Sequence, residues 1–205
     1  MNTFKKFFYS ILFLLIISFS VQAQPAITLE GFGGWLWTGS AGYNGSIKVD
    51  DLGNYGIRAG VEPNDYMLIE FEWNHTETNI HWFDVIEGNT TEPVIMNYYM
   101  LGFNKQMSEG PAVPYGLVNL GVMNLKGQTL NFSSNWFTVG LGGGIKYYFV
   151  EKVGIRLQAR LLLPMQFAGI GFGCGGGGCG SSVSTWTSTI QGDFTGGLIL
   201  KLGGG

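Results

Sequence analysis

The sequence is short of charge. Only 12% of its 205 residues are charged, about half the ~25% of ordinary soluble domains, while 45% are hydrophobic and 15% aromatic. Long apolar runs are missing as well: past residue 23 none reaches the roughly 18 residues that a membrane-crossing helix needs, which excludes a helical membrane protein. There is no basic surplus, with 11 basic against 14 acidic residues, and this argues against nucleic acid as a partner. Two cysteines and two histidines lie on separate segments and leave a metal centre short of ligands, so neither metal nor cofactor is expected. Disorder is excluded by what is abundant, namely aromatic and β-branched residues.

The first 23 residues read as an address. Lys5 and Lys6 precede an apolar run from Phe7 to Phe19, and Ser20 to Ala23 supply small residues before Gln24. This is the build of a secretory signal peptide, too short for a spanning anchor. The expected organisation is therefore a signal peptide over 1–23 and one domain over 24–205. Without Lys5 and Lys6 that domain carries nine basic and 14 acidic residues, a formal charge of −5.

Within the domain, apolar residues recur with period two. From Val153 to Leu161 the odd positions are apolar and the even ones are Gly154, Arg156, Gln158 and Arg160, the pattern of a strand with one greasy and one polar face. The same parity runs through Met67 to Asn74, Phe137 to Phe149 and Ile190 to Leu202. Breakers divide the chain into eight such segments, over 27–38, 52–61, 66–77, 94–105, 113–123, 135–150, 153–164 and 189–202. All six prolines are placed in connections or at segment ends, where a residue without an N–H is tolerated. Long connections alternate with short ones. An even number of strands, with long loops on one rim and tight turns on the other, predicts an all-β fold: an eight-stranded antiparallel up-and-down transmembrane β-barrel. A soluble eight-stranded barrel of lipocalin type shares the alternation and is the architectural rival.

Aromatic placement decides which face meets lipid. Trp35, Trp37, Trp73, Trp136 and Trp186 fall near the long-loop ends, and Tyr66, Phe103, Tyr115, Tyr147 and Phe149 near the short-turn ends, which reads as two interfacial girdles. The polar face then lines the lumen. By parity it receives Glu30, Arg58, Glu70, Glu72, Lys146, Arg156, Arg160, Asp193 and Lys201. Near-balanced charge in so narrow a space is expected to pair internally, because unpaired buried charge is costly. Gly140, Gly142 and Gly144 would make room for arginines on the neighbouring strand. A plugged interior is expected, and the rival is a narrow pore for small solutes.

These features carry a resemblance. The segment Thr138 to Arg160 (TVGLGGGIKYYFVEKVGIRLQAR) and the closing Gln191 to Leu202 (QGDFTGGLILKL) resemble the outer-membrane β-barrel domain family, which is similar to the OmpA-type transmembrane barrel, and the texture is that of its Bacteroidetes-like members. The resemblance implies a Gram-negative cell outer membrane as location, and outer-membrane lipid and lipopolysaccharide as surroundings. It implies no catalytic residue. A monomer with a structural or surface-interaction role is expected.

Few residues suggest chemistry. Cys174 and Cys179 bracket four glycines in the longest connection, and in an exported protein a disulfide is the first reading, ahead of free thiols or a metal ligand. Gly171, Gly173 and Gly176 fit a GxGxxG pattern, but no helix follows to cradle a phosphate. His75 with Glu77 supports one enzyme reading, a lipid A deacylase-like activity, although no serine stands two residues beyond the histidine. The connections 39–51 and 78–93, with Glu77 just before the second, carry Asp50, Asp51, Asp84, Glu87 and Glu92 beside Tyr43, Trp82 and Phe83, which suits a surface ligand or simply a solvated loop.

Overall fold

The computed structural model describes residues 25–39, 47–84, 88–130, 132–175, 178–187 and 190–203. They form ten strands: β1 (Ala26–Thr38), β2 (Ile47–Val49), β3 (Leu52–Asn64), β4 (Met67–Asp84), β5 (Gly88–Gln106), β6 (Ala112–Gly127), β7 (Ser133–Val150), β8 (Val153–Gly175), β9 (Gly178–Thr187) and β10 (Gln191–Leu202). Eight of them, β1, β3 to β8 and β10, close an antiparallel barrel, each pairing with its chain neighbours. Closure comes from β10, which pairs β1 from Ile27↔Leu202 to Thr38↔Gln191 and β8 from Leu200↔Val153 to Gln191↔Leu162. Residues 1–23, where a signal peptide is expected, lie outside the described residues.

The period-two pattern is what makes this closure possible. Along β1 burial alternates strictly from Ala26 to Phe32, so a closed sheet has one continuous inner and one continuous outer face. The outer face carries Leu29, Ile57, Phe71, Leu101, Leu120, Leu141, Leu157 and Leu198, all exposed, as a lipid-facing band requires. The tight turns at Asp65–Tyr66 and Glu151–Lys152 and the segment 107–111 lie at one end with Ala26 and Leu202. In outer-membrane barrels that end faces the periplasm.

Several expectations are corrected. The connections over 78–93 and 165–188 are largely β-hairpin: β4 and β5 stay paired up to Asp84↔Gly88, and β8 and β9 up to Gly175↔Gly178. From Thr78↔Val94 outward, the first of these hairpins rises about 20 Å beyond the barrel. Pro63, Pro93, Pro114 and Pro164 lie inside strands, Pro63 at a register shift between Val61 and Asn64. Tyr115 and Trp136 leave the girdles. The register of β6 turns Val113, Tyr115, Leu117 and Asn119 inward as buried residues, and Trp136 packs against an interior cluster.

Candidate functional site

The candidate site is the barrel interior, which is built in levels. At mid-height, charges alternate in a ladder. Arg156 donates to both oxygens of Glu70 (2.7 and 2.9 Å) and to Glu30 (3.2 Å). Glu30 also accepts from Arg58 (2.5 Å), which reaches Glu72 (2.6 Å) and Thr195 (3.1 Å). Glu72 accepts in turn from Arg160, whose Nε donates to Asp193 (2.7 Å). Asn54 closes the series on Asp193 (2.5 Å). The side chains of Glu70, Arg156, Glu30, Arg58, Glu72, Arg160 and Asp193 come from β1, β3, β4, β8 and β10, and each of these residues is at most 6% exposed. Such burial is tolerated because nearly every donor faces a carboxylate.

Aromatic rings complete the level. The Arg58 guanidinium lies 3.7 Å from the Phe32 ring centre, and that of Arg156 lies 4.7 Å from the Tyr115 ring. Tyr115 Oη accepts from Arg156 Nε at 2.5 Å. The inward glycines of β7 make the room. A Cβ on Gly142 would overlap Arg160, whereas one on Gly144 would strike the Leu157 carbonyl oxygen and Tyr115. Gly142 thus lets the β8 backbone approach closely at Ala159 and Arg160, Gly144 makes room for the tyrosine that holds Arg156, and Gly140 meets Leu162 and Asn119 in place of the arginine expected there.

Toward the periplasm the polar contacts continue. Glu62 accepts from Lys201 (2.7 Å) and, more distantly, from Lys146 (3.5 Å) and Gln106 (3.4 Å). Glu62 lies one residue past the alternating segment 52–61 of the sequence, yet β3 continues to Asn64 and Glu62 keeps the even parity of Asn54 and Arg58. With it, five carboxylates face the five basic groups of the interior. At the periplasmic rim Tyr66 donates to Glu109 (2.6 Å), tying two turns together, and this bond and the carboxylate's charge raise the phenol above its ordinary value.

Toward the outside the lumen becomes apolar. Leu36, Met96, Tyr98, Met100, Met123 and Leu162 form one buried cluster, against which Val49, Leu125 and Trp136 pack. Val49 belongs to β2, which pairs β4 at Ile47↔Trp82 and Val49↔Ile80. The first connection is fastened there by His81 Nε2 to Asp50 (2.9 Å), Thr78 Oγ1 to the Asp50 carbonyl (2.8 Å) and Thr38 N to Asp51 (2.9 Å). Glu92 is not a solvated loop charge: it is 2% exposed and accepts from the amides of Thr129 and Leu130, both at 2.8 Å.

The other sequence candidates sit apart from the lumen. His75 stands on the outer face, tilted against the rings of Tyr55 and Trp73. Its two ring nitrogens face Asn97 (2.8 Å) and Glu77 (3.4 Å), which leaves neither directed at a hydroxyl nucleophile. Cys174 and Cys179 are directly opposed in the β8–β9 register, but their side chains lie outside the described residues, as do those of Tyr43, Trp82, Phe83, Asp84, Glu87 and Trp186. Among the described residues no group of three or more His, Cys, Asp or Glu side chains is arranged to hold a metal.

Comparison with known proteins places this architecture. It is similar to the crystal structures of Neisserial surface protein A (12% identity, TM-score 0.56, covering 87% of this chain and 100% of that one) and of OprG from Pseudomonas aeruginosa (10%, 0.59, 89% and 98%). It is also similar to Ail, the attachment invasion locus protein of Yersinia pestis, in complex with the heparin analogue sucrose octasulfate (10%, 0.51, 87% and 99%). At these identities the likeness is one of fold. No curated protein matches the chain. A family model described as the outer membrane protein beta-barrel domain matches residues 11–177, and the chain belongs to that family, a β-barrel of the outer membrane.

Proposed function

We propose that this protein is a plugged barrel that acts through its surfaces: it stabilises the outer membrane and presents strand extensions to a ligand outside the cell, passing no solute through its lumen. The observation that carries this is the buried ladder from Glu70 to Asp193. Opening a water-filled path through it would separate hydrogen-bonded ion pairs, and leaving one such buried charge unpaired costs about 3–5 kcal/mol. The apolar cluster of Leu36, Met96, Met100 and Met123 forms a second barrier in series. Planar bilayer recording of the refolded protein is expected to give no stable single-channel conductance. A large, long-lived conductance would overturn the proposal and favour the pore.

Surface contact is the role that remains for the β4–β5 and β8–β9 hairpins. Ail was solved with a polyanion, but here the outer rim offers the acidic Asp50, Asp51 and Glu77, which favour a cationic or uncharged partner. Lipopolysaccharide and lipid surround a monomer in this reading. At the tip of the second hairpin, Cys174 and Cys179 are proposed to form a disulfide, because opposed residues of an antiparallel pair stand about 4.5–5.5 Å apart at Cα, within disulfide range. A lipid-modifying activity has less support, given how both nitrogens of His75 are engaged.

A further inference from the structure

The periplasmic end of the barrel holds a cavity of about 620 Å³, within the range of small-molecule sites. Glu62, Gln106, Tyr148 and Lys201 line its inner part, and Asp65, Glu109, Glu151 and Lys152 its mouth. Four apolar residues, Pro111, Val113, Phe149 and Val150, also line it. The buried ladder lies above, so the cavity is a dead end open toward the periplasm.

Its charges are graded. At the inner end Lys201 lines the cavity and pairs with the carboxylate Glu62, and Lys146, buried just behind the lining, contacts the same carboxylate, an excess of one positive charge over these three groups. At the mouth the three acids Asp65, Glu109 and Glu151 outnumber Lys152, an excess of two negative charges. The floor is also incompletely partnered. Lys146 is 1% exposed, yet its ammonium contacts to Glu62 and Gln106 are 3.5 and 3.4 Å, longer than the ~2.7–2.9 Å of a strong charge-assisted bond. Tyr148 Oη is buried with no hydrogen-bond partner among the described residues. The frame is preformed, because backbone bonds lace the turns together: Gln106 N to Tyr66 O, Tyr148 N to Pro111 O and Lys201 N to Lys152 O, each 2.8 Å.

We infer that this cavity binds a small zwitterion with an apolar body, a free short peptide, its carboxylate inward beside Lys201 and Tyr148 Oη and its ammonium at the acidic mouth. The site does not depend on whether the lumen above conducts. A peptide supplies both charges and small apolar side chains in one molecule, and its two ends match the sign reversal from floor to mouth.

Isothermal titration of the full refolded chain in detergent with the dipeptide L-alanyl-L-alanine tests this, with acetate and ethylamine as single-charge controls. The dipeptide is expected to bind at least tenfold more tightly than either control. Tyr148→Phe, which keeps the ring, should weaken it about fivefold, the worth of one hydrogen bond. Lys201→Met and the double variant Glu109→Gln/Glu151→Gln should each weaken it further, one from each end. Acetate binding as well as the dipeptide, which would mark a plain anion site, overturns the inference. So does an affinity that none of these variants changes, or no dipeptide heat at all in protein whose folding is shown by its heat-dependent gel mobility.

Discussion

Glu72 holds the ladder together. It accepts from Arg58 on one side and Arg160 on the other, and it is wholly buried. Glu72→Gln leaves Arg58 with Glu30 and Arg160 with Asp193, each short of one carboxylate in a site without bulk water. The expected loss is about 3–5 kcal/mol, as for a broken buried pair. Arg160→Met should cost a similar amount alone, yet the double variant should lose less than the two together, since each change removes the other's unmet partner. Urea unfolding in lipid vesicles, followed by tryptophan fluorescence, measures this cycle. A loss under about 1 kcal/mol for Glu72→Gln would show that water reaches the ladder. The positions of Glu30, Arg58, Glu72 and Arg160 were legible from parity, because a side-chain period of two fixes the face of every residue once one is known. Their pairing was not, since it joins residues up to 137 apart, Arg58 and Thr195, through a stagger that only the closed sheet sets.

Individual strands follow their sequence pattern only where the membrane enforces it. Through the bilayer one face meets lipid and the other the packed lumen, so β3, β7 and the first half of β8 alternate visibly. Beyond the rim, water reaches both sides of a hairpin and selection for alternation ends, although the backbone ladder continues. Residues 78–93 and 165–188 therefore looked like loops. The β8–β9 hairpin carries no charged residue at all between Arg160 and Asp193, and its ten register pairs end at Cys174↔Cys179 and Gly175↔Gly178. A covalent clasp one pair from the tip would hold this register where glycine weakens strand preference. Alkylation of the unfolded protein followed by intact-mass measurement is expected to add nothing before reduction and two adducts after it. Two adducts before reduction would show free thiols and remove the clasp.

Across the whole molecule the two ends differ in build, and both proposals rest on which way they point. The tight-turn end, with an open graded cavity, is assigned to the periplasm, while the hairpin end, sealed by Val49 over an apolar cluster, is assigned to the exterior. The low charge of the chain follows from the same arrangement: lipid takes the outer face, and most charges that the barrel strands retain point into the lumen, in the ladder and around Glu62. Orientation can be read directly by placing a single reactive thiol at each end after both native cysteines are replaced by serine. Glu151→Cys in the β7–β8 turn and Asp51→Cys on the opposite rim are both at exposed positions, outside the ladder. A membrane-impermeant maleimide added to intact cells is expected to label Asp51→Cys and to reach Glu151→Cys only after the outer membrane is broken. Labelling of Glu151→Cys on intact cells would invert the barrel, turning the dipeptide cavity toward the medium and the acidic hairpin rim toward the periplasm. It would thereby remove the basis for a ligand drawn from the periplasm.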